Sequence, residues 1–155
     1  MDEQIELLRF LLKSCEREGL ANFNNLLKEL KITANQAEVL TVLDTYGPMS
    51  IKDLGQLLIC ERQSPSRLVS SVINKGLAQT IPYQKDKRVN LVQLSSAGQQ
   101  LVPILRQKNA EFNASIQQRI QNPEQITELI KILSSYLKNT ESYTKLTRRF
   151  ENLEN

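Results

Sequence analysis

The stretch "SPSRLVSSVINKG", residues 64–76, constrains the fold more tightly than any other part of the chain. Both of its ends are marked. Ser64 stands where a hydroxyl can accept a free backbone N–H, and Pro65 suits a first helical position, where a missing N–H costs nothing. Gly76 offers the left-handed conformation that closes many helices. At ~100° per residue, Leu68, Val69, Val72 and Ile73 fill one side of the wheel. Ser66, Arg67, Ser70, Ser71, Asn74 and Lys75 fill the other. A helix divided so cleanly needs apolar partners on one side only.

The neighbouring sequence supplies those partners in a definite order. Apolar spacing from Ile5 to Leu30 predicts helix over residues 3–30, with an interruption expected near Gly19. Thr33 and Gln36 form a capping box for a helix that carries Ala37, Leu40 and Leu43 and stops before Gly47-Pro48. Ser50 and Asp53 open a short helix through Leu54, Leu57 and Leu58. After residues 64–76 come two β-type runs, 77–82 and 89–94, around a short polar tip, which together read as a hairpin. Ser95 or Ser96 then caps a long helix to about Gln121, and Pro103 inside it predicts a bend or local break. Asn122-Pro123 opens a last helix, which the amphipathic tail Tyr143, Leu146, Phe150 and Leu153 could continue. The fold class is therefore mainly α with one small hairpin.

Composition removes many functions. Histidine is absent, so Ser-His-Asp and Cys-His catalysis and His-ligated metal sites do not arise. No phosphate-cradling glycine motif and no C-x-x-C pair occurs, so no enzyme and no cofactor is indicated. No apolar run approaches the ~20 residues a membrane span needs, and the acidic N-terminus does not read as a secretory signal. Two cysteines are too few for a disulfide framework, which makes the cytoplasm the expected compartment. The charge, however, is unevenly placed. Arg62, Arg67, Lys75, Lys85, Lys87 and Arg88 stand against Asp86 alone, so the rest of a chain with 20 cations and 17 anions is net negative. A concentrated positive patch suits a polyanionic partner.

The polar face of helix 64–75 agrees. Ordinary solvated faces are rich in Glu and Lys, which favour helix; this one has three serines, an asparagine and two cations. Short hydroxyl and amide groups let a helix approach base edges, and Arg67 can reach guanine or phosphate. A short helix, a turn and this helix form a helix-turn-helix, and the hairpin behind them is placed as a wing. Double-stranded DNA is the expected partner. Ser66, Arg67, Ser70, Ser71 and Asn74 would face the major groove, Lys75, Lys85 and Lys87 phosphates, and Arg88 the minor groove, with Gln63 and Ser64 also expected to touch DNA. Asp86 would orient Arg88 or another cation, or cap the turn. The competing readings are a serine-rich face of no consequence and a merely solvated tip.

The strings "ITANQAEVLTVL", "GPMSIKDLGQLL", "SPSRLVSSVINKGLA" and "DKRVNLVQLSSAGQQL" resemble the MarR family of transcription regulators. The last has the family's wing pattern: Asp-x-Arg, a hydrophobic strand, Leu-Ser, and a glycine opening the next helix. The likeness covers residues 30–105 in motif and the whole chain in element order. It implies a winged helix-turn-helix over 31–94 and a helical dimerisation region formed by 1–30 and 95–155. It also implies a homodimer on a palindromic operator, repression, and often a small aromatic or phenolic effector. Some relatives sense peroxides through a cysteine on the first helix, where Cys15 lies here among the mixed charges of Lys13, Glu16, Arg17 and Glu18. Redox switching through Cys15 and a winged helix that binds an acidic protein remain as alternatives.

Overall fold

The computed structural model describes residues 1–59, 64–86, 88–120 and 122–150. The chain divides into two compact units, 1–34 and 35–155.

The first unit is almost entirely α1, Asp2–Leu26, followed by a 3₁₀ turn, Lys28–Leu30. The helix passes through Gly19 without the expected interruption; a lone glycine inside a 25-residue helix costs only about 1 kcal/mol against alanine, which the surrounding turns absorb. No residue of α1 is buried, although Ile5, Leu7, Leu8, Phe10 and Leu11 are all large and apolar. Lys31 ends the turn in the left-handed region, and Asn24 Oδ1 accepts the Ala34 N–H at 2.7 Å.

The second unit holds most of the core. Helix α2, Ala34–Tyr46, begins directly after Thr33 and buries Ala37, Val39, Leu40, Val42 and Leu43. Helix α3 is Ile51–Gly55; the Ser50 hydroxyl accepts the Asp53 N–H and donates to its carboxylate. It ends sooner than the apolar spacing to Leu58 predicts, because Gln56 N–H and Leu57 N–H already turn back to carbonyls three residues earlier. Helix α4, Pro65–Asn74, has Ser64 as its cap, and Gly76 beyond it adopts φ +71°. Strands β1, Ala78–Pro82, and β2, Asn90–Leu94, pair antiparallel with Ala78 opposite Leu94 and Pro82 opposite Asn90. Met49 adds a bridge to Val92 through bonds of 2.8 and 3.1 Å. Leu54, Leu58, Leu68, Val69, Val72, Ala78, Val92, Leu94, Val102 and Leu105 complete the buried apolar set of this unit.

Helix α5, Ser96–Arg119, is pinned to the hairpin at its start. The Ser95 hydroxyl donates to the Gly76 carbonyl and accepts the Gly98 N–H, while Ser95 N–H reaches the Leu77 carbonyl. A Cβ at Gly98 would lie 2.0 Å from that same Leu77 oxygen, so only glycine fits. The helix continues through Pro103 rather than breaking there. Pro103 and Gln99 are both exposed, so water can serve the carbonyl that proline leaves without a partner. Helix α6, Pro123–Leu137, is capped by Asn122. The tail does not extend it: Asn139 turns left-handed, Thr140 caps anew, and α7 runs from Glu141 to Arg149. Leu153, part of the expected tail, lies outside the described residues.

Candidate nucleic-acid interface

Helix α4 is held from one side. Leu68, Val69 and Val72 are buried, while Ser64, Ser66, Arg67, Ser70, Asn74 and Lys75 are exposed. The sequence-derived face is therefore largely exposed. Ser71 is placed differently from its wheel neighbours. It is half-buried, donates to the Leu68 carbonyl at 2.7 Å and accepts from Gln36 Nε2 at 3.0 Å. Gln36 is 7% exposed, so the amide of α2 and the hydroxyl of α4 satisfy one another inside the domain. The sequence marks Gln36 only as part of a capping box, and nothing local signals its bond to a residue 35 positions away.

Backbone hydrogen bonds link the described residues of the wing tip. Tyr83 N–H donates to the Val89 carbonyl at 3.0 Å, and Asp86 N–H and Val89 N–H close the turn on Tyr83 and Asp86. The Asp86 carboxylate accepts the Arg88 backbone N–H at 3.0 Å. Asp86 thus engages Arg88 through its main chain, the turn-capping arrangement common for this residue. Lys85, Asp86 and Arg88 are exposed, and among the described residues Arg67, Lys85 and Arg88 enter no ion pair. Gln63 and Lys87, together with Arg62 and Cys60, lie outside the described residues.

The arrangement presents hydroxyl and amide groups on a helix, with cations at its end and on the hairpin behind it. That combination can hydrogen-bond base edges and neutralise phosphates. The described residues bring together no three metal-ligating side chains, and none of their helices is long and apolar enough to cross a membrane. Cys15 is exposed on α1, and Arg17 two residues on is paired with Glu18 at 2.8 Å.

A family model described as a winged helix DNA-binding domain matches residues 32–98. No curated protein matches the chain in sequence. Among solved structures, a cysteine-to-serine mutant of MarR from E. coli complexed with operator DNA aligns with a TM-score of 0.77 at 21% identity, covering 86% of this chain and 96% of that one. BpsR of Bordetella bronchiseptica, whose DNA binding is regulated by 6-hydroxynicotinic acid, aligns at 0.72 with 21% identity over 84% and 98% of the two chains. A Pseudomonas aeruginosa protein described as a probable transcriptional regulator aligns at 0.71 with 25% identity over 80% and 94%.

Proposed function

We propose that this chain, which carries a winged helix DNA-binding domain in the fold of the MarR regulators, is a cytoplasmic, non-enzymatic transcription regulator that binds a palindromic operator as a homodimer. The observation that carries the reading is the exposed polar face of α4, with Ser66, Arg67, Ser70 and Asn74 open beside the cationic wing. Arg67, Ser70 and Asn74 read base edges, Lys75 and Lys85 hold phosphates, and Arg88 enters the adjoining minor groove. Ser71 supports the helix from within. Asp86 fixes the backbone from which Arg88 extends.

Two groups of exposed apolar residues support the dimer. Helix α1 leaves Ile5, Leu8 and Leu11 uncovered, and α6 leaves Leu129, Ile130 and Ile132 uncovered. A second copy of the chain would remove these from water, and two-fold symmetry would set two α4 helices about 34 Å apart, one turn of DNA. Occupation of a promoter then represses.

Response to a small aromatic or phenolic acid is supported by a cavity of about 380 Å³ between α2 and α5. Thr41, Asp44, Thr45, Val102, Leu105 and Arg106 line it, and Arg106 is paired with Asp44 at 2.5 Å. An aromatic carboxylate could use the apolar wall and compete with Asp44 for the guanidinium. The regulation of BpsR by 6-hydroxynicotinic acid is a precedent in the same fold.

The deciding experiment measures binding to the DNA upstream of the protein's own gene against random duplex, across a salt series, with Arg88→Ala beside the parent. Preference for the upstream duplex, with the salt slope reduced by about one in the variant, is the expected outcome. Equal weak binding to both duplexes, unaffected by the substitution, would favour a winged helix that binds protein.

A further inference from the structure

Helix α7 makes contacts that DNA reading does not require. Arg148 Nη1 donates to the Gln56 carbonyl at 3.3 Å and to the Gln56 side-chain oxygen at 2.5 Å. Arg149 Nη1 donates to the Leu57 carbonyl at 3.4 Å and pairs with Glu38 of α2. Glu38 Oε1 also accepts the Ile59 N–H at 3.0 Å, and the Tyr46 hydroxyl donates to the Arg148 carbonyl at 3.4 Å. The Glu38 and Arg149 side chains are each only 17% exposed, unlike Arg9 with Glu6 on α1, which are 74% and 61% exposed. Solvent and salt screen such a sheltered pair far less.

These contacts fall at the end of a very short helix. Helix α3 has five residues, too few to persist by its own hydrogen bonds, and carbonyls at a helix end lack partners within it. Gln56 and Leu57 follow that end directly, and their carbonyls receive the two guanidinium groups. The same end abuts α4: a Cβ on Gly55 would lie 3.1 Å from Pro65 Cγ, the first helical residue of α4. Displacement of α3 is therefore felt at the start of the helix that carries the polar face.

We infer that α7 is a clamp on the helix-turn-helix: Arg148 and Arg149 are positioning residues that hold the 56–59 segment against α2, so that α4 keeps a single presentation. The structural half stands on the contacts alone, whereas the consequence for DNA rests on the regulator reading.

The test pairs amide hydrogen exchange with DNA binding in the Arg148→Ala/Arg149→Ala double variant and in Glu38→Gln. The glutamine variant keeps an oxygen for Ile59 N–H while discharging the pair. In the double variant, exchange at Leu57, Leu58 and Ile59 rises about tenfold, the scale of a lost charge-assisted bond, with Val69 and Val72 unchanged as a control for folding. Affinity for the upstream duplex falls about tenfold, random duplex is bound as before, and the salt slope stays at the parent value. Glu38→Gln moves both readouts the same way by less.

Unchanged exchange at residues 57–59 overturns the clamp. A salt slope lowered by about one also overturns it, since the arginines would then be touching phosphate themselves. Should the parent show no preference for the upstream duplex, the regulator reading fails and the exchange measurement still decides the clamp.

Discussion

Helices α4 and α1 face the same physical problem, an apolar stripe in water, and meet it in opposite ways. The ten residues of α4 bury Leu68, Val69 and Val72 within the chain and leave a polar face exposed. The 25 residues of α1 bury none, and Ile5 remains 60% exposed and Phe10 52%. Amphipathic spacing is thus a statement that a partner exists, and only burial tells whether the partner belongs to the same chain. For α4 the apolar side is finished business and the polar side is what remains for function. For α1 the apolar side is itself the unsatisfied surface.

The largest effect should come from the buried side of α4. Leu68→Ala removes most of a fully buried side chain and should cost about 2–5 kcal/mol in chemical denaturation, by the same amount at every protein concentration. The contrast would break if that cost vanished on dilution, because α4 would then depend on a second copy as well. Next, on the proposed dimer, Leu11→Ala on α1 should cost about 1–3 kcal/mol only at concentrations where two copies associate, and nothing in a dilute monomer. Sedimentation across a dilution series, run beside the melts, separates the two regimes; a loss that persists in the monomer would place Leu11 in an internal core. The smallest change belongs to the polar face. Ser70→Ala should alter stability by less than about 0.5 kcal/mol, yet shift the preference between upstream and random duplex.

Much of this fold can be read locally because its punctuation is chemical. Ser50, Ser64, Ser95 and Asn122 each accept the N–H expected of a cap, and Gly76 takes the left-handed turn that ends α4. Thr140 was equally legible in principle, with a hydroxyl that accepts Tyr143 N–H at 3.2 Å, but the apolar rhythm of the tail masks the break before it. The misjudged ends share a cause. Hydrophobic period marks which residues want burial and says little about where one turn yields to the next, as the early end of α3 shows. What no local pattern contains is pairing at a distance. Ser71 looks like its serine neighbours until Gln36 is seen opposite it, and Glu38 meets Arg149 across 111 positions.

The root of the hairpin has a mechanical consequence. Ser95 ties Gly76 to Gly98, Ser95 N–H holds the Leu77 carbonyl, and Gly98 admits no slack against it. The strands beyond are five residues each, about 17 Å at ~3.3 Å per residue. The Met49–Val92 bridge grips the middle of β2 as well, so the free lever runs only from Val92 to Arg88, about 13 Å at ~3.3 Å per residue. A tilt of about 5° about Val92 would carry Arg88 through roughly 1 Å, about a third of the length of a hydrogen bond.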